Sequence, residues 1–324
     1  MKKIIKLIFI CVLSFTVLTS CSSRDNSEYE NSKNNGDSNI TEEKPNNSED
    51  YNKVNGNSSN NNDQNTSDDE QLSPDLDTVL TMSADFEKLS ALDSKKLGWG
   101  PGGPVDANNR SQGAISYQEK YGKYNADFIL PEGNEISLTF DEGYENGYTA
   151  KILDILKEKK VSAVFFVTFP YARDNPELIK RMIDEGHVVG NHSTDHKSFP
   201  DLSLDQAKTD IENLHKYIKE NYNYSMKLFR FPMGEFNEQC LGLLNDMGYK
   251  SVFWSFAYRD WLVDEQPDPE QSLQQLNNKS HGGAIYLLHA VSKTNTDILG
   301  EFIDEMRGKG YEFIDYEEKI KTNS

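Results

Sequence analysis

Glu135-Ile-Ser-Leu-Thr-Phe-Asp-Glu-Gly143 is the stretch from which the fold can be read. It opens as a short apolar strand and stops on two carboxylates and a glycine. Downstream, Gly147 to Lys160 carries Ile152, Leu153, Ile155 and Leu156 at helical spacing. Val161-Ser-Ala-Val-Phe-Phe-Val-Thr168 then reads as a fully apolar strand of the buried, parallel kind. Asn175-Pro-Glu-Leu starts a helix with a cap residue followed by proline, and Gly186 ends it. Val188-Val189-Gly190 is a brief strand, and Leu204 to Asn221 is a long amphipathic helix capped by Ser203. Three more strands follow, Lys227–Arg230, Ser251–Ser255 and Ala284–Leu288, with helical segments between them. Strand–helix alternation implies a parallel sheet or barrel with right-handed crossovers. Six or seven units in residues 135–324 are too few for an eight-fold barrel, so an incomplete, distorted barrel fits better.

Upstream of this core the texture changes. Lys2, Lys3 and Lys6, an apolar run from Ile4 to Leu18 and then Leu18-Thr19-Ser20-Cys21 have the pattern of a lipoprotein signal. Residues 1–21 are therefore expected to be a leader with lipidation at Cys21, and the protein is expected to sit outside the cell membrane, anchored to its outer face. Residues 22–80 hold fourteen acidic and four basic side chains and almost no aliphatic runs. Such a segment cannot bury enough surface to offset chain entropy, and a disordered linker is expected. Residues 81–134, with the run Gly98-Trp-Gly-Pro-Gly-Gly-Pro104, are expected to form an irregular arm packed on the domain at 135–324. Taking the leader's +3 and the linker's −10 from the whole-chain −19 leaves −12 on residues 81–324, which argues against a nucleic-acid partner. Only Cys240 lies in the body, so the fold must rest on its apolar core.

In such folds chemistry sits at the carboxyl ends of strands. Five successive strand ends deliver polar groups: Asp141-Glu142-Gly143, Asn191-His192-Ser-Thr-Asp-His196, Arg230-Phe-Pro-Met233-Gly, Asp260-Trp261 and His289. His192 and His196 are four apart and on a helical turn would face one metal ion. Of the adjacent carboxylates Asp141 and Glu142, one can complete a two-histidine, one-carboxylate site and the other can act as general base. Arg230 can pair bidentately with a carboxylate, and His289 can serve as general acid. Singly, each has an ordinary alternative: a solvated acidic turn, a surface arginine, a satisfied core histidine. The set shifts the balance. His187, His215 and His281 carry no such company; His215 is expected on the exposed side of its helix.

These five motifs resemble, in order, those of the NodB-like polysaccharide deacetylases, carbohydrate esterase family four. The string Leu138 to Thr149, with Val252-Phe-Trp-Ser and Ala284-Ile-Tyr-Leu-Leu-His289, is similar to the delta-lactam-biosynthetic de-N-acetylase subgroup. The resemblance implies a distorted (β/α)7 barrel and a hydrolase of linear amide C–N bonds. The implied substrate is N-acetylmuramic acid of peptidoglycan, on the way to the muramic-δ-lactam of spore cortex. It implies Asp141 as base, Arg230 as its tether, Asp260 as the tuning acid and His289 as general acid. It also implies Glu142, His192 and His196 as ligands of one divalent ion, zinc or another transition metal. A main-chain N–H near Met233 would be the oxyanion donor, and Tyr144 and Trp261 would meet the glycan. The family has Asp where Glu142 stands, which leaves the ligand set open at that position. An N-acetylglucosamine deacetylase of wall or exopolysaccharide, and a non-catalytic glycan-binding lipoprotein, remain the alternatives. A monomer is expected.

Overall fold

The computed structural model describes residues 83–322. The expected leader with Cys21 and the whole of the expected linker, residues 22–80, fall outside the described residues.

The Glu135–Glu142 strand lies inside a nine-stranded sheet. Its neighbours are Val164–Val167 on one side and Ile285–His289 on the other, both parallel. Beyond Val164–Val167 come Val188–Asn191, Leu228–Phe229, Lys250–Val252 and Ala126–Asp127, again parallel. Beyond Ile285–His289 comes Phe256–Ala257, and Glu312–Phe313 pairs with the start of Glu135–Glu142. Ile136, Leu138 and Phe140 are fully buried on one face of the strand, and Ser137, Thr139 and Asp141 are buried on the other. Both faces are therefore covered, as parallel sheets require.

The run expected as one strand, Ser251–Ser255, ends as a strand at Val252, and a second strand begins only at Phe256. Lys250–Val252 pairs with Leu228–Phe229, whereas Phe256–Ala257 pairs with Ile285–His289. One run of chain thus reaches both sides of the sheet and carries it round on itself. This is the distorted, incomplete barrel that the strand count suggested, with helices outside.

Local chemistry explains the helix limits. Thr149–Lys159 buries Ile152, Leu153 and Leu156 and stops where Lys160 turns left-handed at φ 53°. Leu204–Tyr222 opens with a full capping box: the Ser203 side chain accepts from the Gln206 N–H, and the Gln206 side chain accepts from the Ser203 N–H. His215 on this helix is not on its exposed side. It is half-buried, with Nδ1 2.7 Å from the Tyr249 hydroxyl, because Tyr249 closes the space between helix and sheet.

The segment before residue 135 is not an irregular arm. It contains the Gln112–Tyr121 helix and the Ala126–Asp127 strand, and Leu97–Gly98 pairs antiparallel with Glu235–Phe236. Trp99 is buried, its Nε1–H donating to the Trp254 carbonyl at 2.9 Å and its ring 4.9 Å from Phe128. Aromatic burial on this scale makes the segment part of the core. Among the described residues no helix is long and apolar enough to cross a membrane.

Candidate active site

A cleft of about 920 Å³ opens at the carboxyl ends of the strands. Its wall includes Asp141, His192, His196, Met233, Trp261 and His289, together with Tyr144. Six strand ends and the loops after them converge there, so residues spread over 149 positions of chain meet in one place.

Asp141 is the last inward-facing residue of its strand and is 9 % exposed. The Arg230 Nη1–H donates to Asp141 Oδ1 at 2.8 Å and to Thr139 Oγ1 at 2.7 Å. Arg230 Nε–H and Nη2–H donate to the carbonyls of Val252 and Phe253, at 2.9 and 3.0 Å. The expected bidentate fork is therefore absent. A single charge-assisted bond orients the carboxylate, because the other donors are committed to the strand break at Val252. The Arg230 guanidinium lies over the Phe166 ring, 4.2 Å from ring centre to Cζ. Burial pushes the Asp141 pKa up, but the charges of Arg230, His192 and His289 outweigh it, and the carboxyl ends below its usual range.

His192 lies 3.5 Å from the other carboxylate oxygen, from Nε2 to Asp141 Oδ2. Its Nδ1 is 2.9 Å from the Arg230 carbonyl, a group that only accepts, so Nδ1 carries the proton and Nε2 a lone pair. Burial holds this imidazole neutral, with a pKa pulled down to about 4. His196 is edge-on to His192, ring centres 4.9 Å apart, and burial lowers its pKa too. The two do not sit on a helical turn as expected. Ser193 and His196 adopt left-handed backbone, φ 76° and 52°. The loop is held by the His196 N–H donating to Ser193 Oγ and the Ser193 N–H donating to Asn191 Oδ1, each at 2.8 Å. Backbone of this kind in a non-glycine residue persists only where its surroundings enforce it.

Glu142 does not join them. The strand pairing runs on through Glu142 opposite Val167, so the pleat turns its side chain away from the Asp141 face. It is fully buried and does not line the cleft, and neither carboxylate oxygen has a hydrogen-bond partner. Burial, then the charges of Glu145 and Asp141, drive its pKa well up. The expectation of Glu142 as a metal ligand is corrected on this geometry. Among the described residues no three His, Cys, Asp or Glu side chains form a metal cluster. The donor chemistry nonetheless fits a divalent ion at the two histidines. His192 presents an Nε2 lone pair, His196 lies with its ring centre 4.9 Å away, and burial pulls both imidazoles toward the neutral form that binds metal. The Arg230 carbonyl already orients His192 from behind, as bound histidines are usually oriented.

On the neighbouring strand, in register with Asp141, His289 Nδ1 is 2.7 Å from Asp260 Oδ1, and the His289 main-chain N–H donates to Asp260 Oδ2 at 2.8 Å. Burial opposes a charged imidazole, but the Asp260 charge and hydrogen bond prevail, and the His289 pKa is raised. Trp261 stands half-exposed with its ring 5.6 Å from His289. Tyr144 and Met233 are exposed on the rim, Met233 in left-handed backbone at φ 58°. Trp254, Thr139 and Asn295 also belong to the site and carried no role in the sequence reading. Trp254 and Thr139 stood inside the quoted motifs, whereas Asn295 lies in a helix and gives no local signal.

Residues 131–252 match the polysaccharide deacetylase family. Over 213 residues, 65 % of this chain and 78 % of the relative, the chain is 39 % identical to the peptidoglycan-N-acetylmuramic acid deacetylase PdaA of Bacillus subtilis. The solved structure of that PdaA, a family 4 carbohydrate esterase, matches with a TM-score of 0.65 at 34 % identity, covering 68 % of this chain and 95 % of its own. A peptidoglycan-N-acetylglucosamine deacetylase of Bacillus cereus is 30 % identical over 57 % of this chain and 88 % of its own.

Proposed function

Because this chain belongs to the polysaccharide deacetylase family, carbohydrate esterase family 4, we propose that it de-N-acetylates N-acetylmuramic acid in peptidoglycan. The observation that carries the reading is one cleft lined by two side chains on adjacent strand ends, each prepared by its own partner. Asp141 is aimed by Arg230 and shifted toward its ionised form, and Asp260 shifts His289 toward its protonated form. A pair pushed toward opposite protonation states is what acid–base hydrolysis of an amide needs.

The residues act as follows. Trp261, Tyr144 and the rim at Met233 hold the sugar so that its acetamido group reaches Asp141 and His289. Asp141 Oδ2 accepts a proton from the attacking water as oxygen adds to the carbonyl carbon. The main-chain N–H near Met233 faces the oxygen that gains charge. His289 gives a proton to the amide nitrogen, the C–N bond breaks, and acetate and the free amine leave. A divalent ion at His192 and His196, zinc or another transition metal, supplies a Lewis acid at that carbonyl when bound.

Muramic acid is preferred over glucosamine on the stronger likeness to the muramic-acid enzyme. An extracytoplasmic, lipid-anchored protein, attached through Cys21 and reaching the wall along residues 22–80, is consistent with that substrate. A product on the way to muramic-δ-lactam is part of the same proposal. The deciding experiment incubates the protein with peptidoglycan, intact and peptide-stripped, with and without divalent metal, and reads the muropeptides by mass spectrometry. Loss of acetyl from muramic acid supports the reading, and loss from glucosamine moves the substrate. The withdrawal of Glu142 from the cleft favours a second reading, a glycan binder without turnover. Binding with no acetate release under any divalent ion would establish that reading instead.

A further inference from the structure

We infer that Asn295 is a positioning residue for the proton donor, holding Asp260 and His289 in register, with Tyr258 setting the orientation of its amide. The inference rests on the proposed deacetylation, in which His289 protonates the leaving amine.

Asn295 lies in the first turn of the Lys293–Gly308 helix and is 1 % exposed. Its main-chain N–H donates to Ser292 Oγ at 3.1 Å, which is the helix cap, so the backbone at this position is fixed. Asn295 Nδ2 then makes two bonds. It donates to Asp260 Oδ2 at 2.6 Å and to the His289 carbonyl at 3.1 Å. The carbonyl end of the amide accepts from the Tyr258 hydroxyl. A carboxylate and a carbonyl only accept, so the nitrogen must face Asp260 and His289, and the oxygen is left to meet the one available O–H. The amide is thereby oriented by chemistry at both ends.

The consequence falls on Asp260. That carboxylate is fully buried. Its Oδ2 takes the His289 main-chain N–H and the Asn295 amide, which leaves Oδ1 pointed at His289 Nδ1. Asn295 also grips the His289 carbonyl, so one side chain ties the carboxylate to the backbone of the histidine it serves. Gln266 secures the same loop from the other side, its Nε2–H donating to the Leu262 carbonyl at 2.8 Å while its Oε1 accepts from the Ser292 hydroxyl at 2.8 Å. Asp260 and His289 lie 29 positions apart and bond each other directly, and the first turn of this helix braces both.

The test compares the parent protein with Asn295→Leu and Tyr258→Phe. It measures kcat and KM for acetate release, thermal melting, and the NMR resonance of the His289 Nδ1–H in protein labelled with 15N-histidine. Removing a partner that orients a reacting group costs roughly 10- to 100-fold. Asn295→Leu is expected to lose about that much in kcat with KM little changed, and to lose the downfield Nδ1–H resonance. Tyr258→Phe removes one hydroxyl and is expected to show the same pattern at several-fold size. If either folded variant keeps parental kcat, loses only in KM, or leaves the Nδ1–H resonance where it was, the inference is wrong. Should Asn295→Leu not fold, Tyr258→Phe decides alone. If the parent releases no acetate, the deacetylation reading fails, while the resonance still reports whether Asn295 and Tyr258 hold the pair.

Discussion

Arg230 concentrates more of the site's energetics than any other side chain described. It is fully buried, and its donors reach Asp141, Thr139 and two strand-end carbonyls. Lysine carries the charge but not the fork. Arg230→Lys is therefore expected to cost about 3–5 kcal/mol, the usual penalty for leaving a buried charge with its partners unmet, measured by denaturant unfolding. The same variant should show its acid limb of kcat/KM at higher pH, because Asp141 loses the guanidinium hydrogen bond that helps hold its pKa down. Glu142 behaves oppositely. Its folded pKa is raised by burial, so the folded state binds the extra proton, and stability falls as pH rises from the ordinary glutamate value toward the folded one. Glu142→Gln should melt higher than the parent at neutral and alkaline pH and differ least at pH 4. Zinc should raise the melting temperatures of the parent and of Glu142→Gln alike, and should not raise that of His192→Ala. A Glu142→Gln variant that no longer responds to zinc would return Glu142 to the ligand set.

At the scale of single elements, the Val188–Asn191 strand is tuned to its neighbour. A Cβ built on Gly190 would lie 2.5 Å from the Phe166 ring, the ring that underlies the Arg230 guanidinium. Gly190→Ala must push that ring aside. It is expected to destabilise by about 1–3 kcal/mol, as overpacked cores do, and to lower kcat through Arg230 and Asp141. A variant with parental melting and parental kcat would show that Phe166 yields freely. The strands themselves were legible, since runs such as Val164-Phe-Phe-Val167 admit little else than a buried parallel strand. The break at Phe253–Ser255 was not. Ser251-Val-Phe-Trp-Ser255 is uniformly apolar and β-favouring, and only the need to reach two different partners splits it.

For the molecule as a whole, the segment before residue 135 decides where the folding unit begins. It adds the Ala126–Asp127 strand and stacks Phe128 on Phe253 with ring centres 4.1 Å apart. A fragment beginning at residue 135 should fail to melt cooperatively, and one beginning at residue 83 should melt like the full chain, by calorimetry. Cooperative melting of the shorter fragment would make the earlier segment an accessory after all. The sequence by itself determined the class of fold, most of the central strands and the residue types at their ends, because periodicity and strand-end chemistry are local properties. It also carried the resemblance that named Asp141, His192, His196, Arg230, Asp260 and His289 together. Only the tertiary structure decided which face each of two adjacent carboxylates takes, that Arg230 grips Asp141 with one bond, and that Asn295 stands behind the acid. Those depend on where the pleat continues and on which distant backbone comes within hydrogen-bond reach, and neither is written in the neighbouring residues.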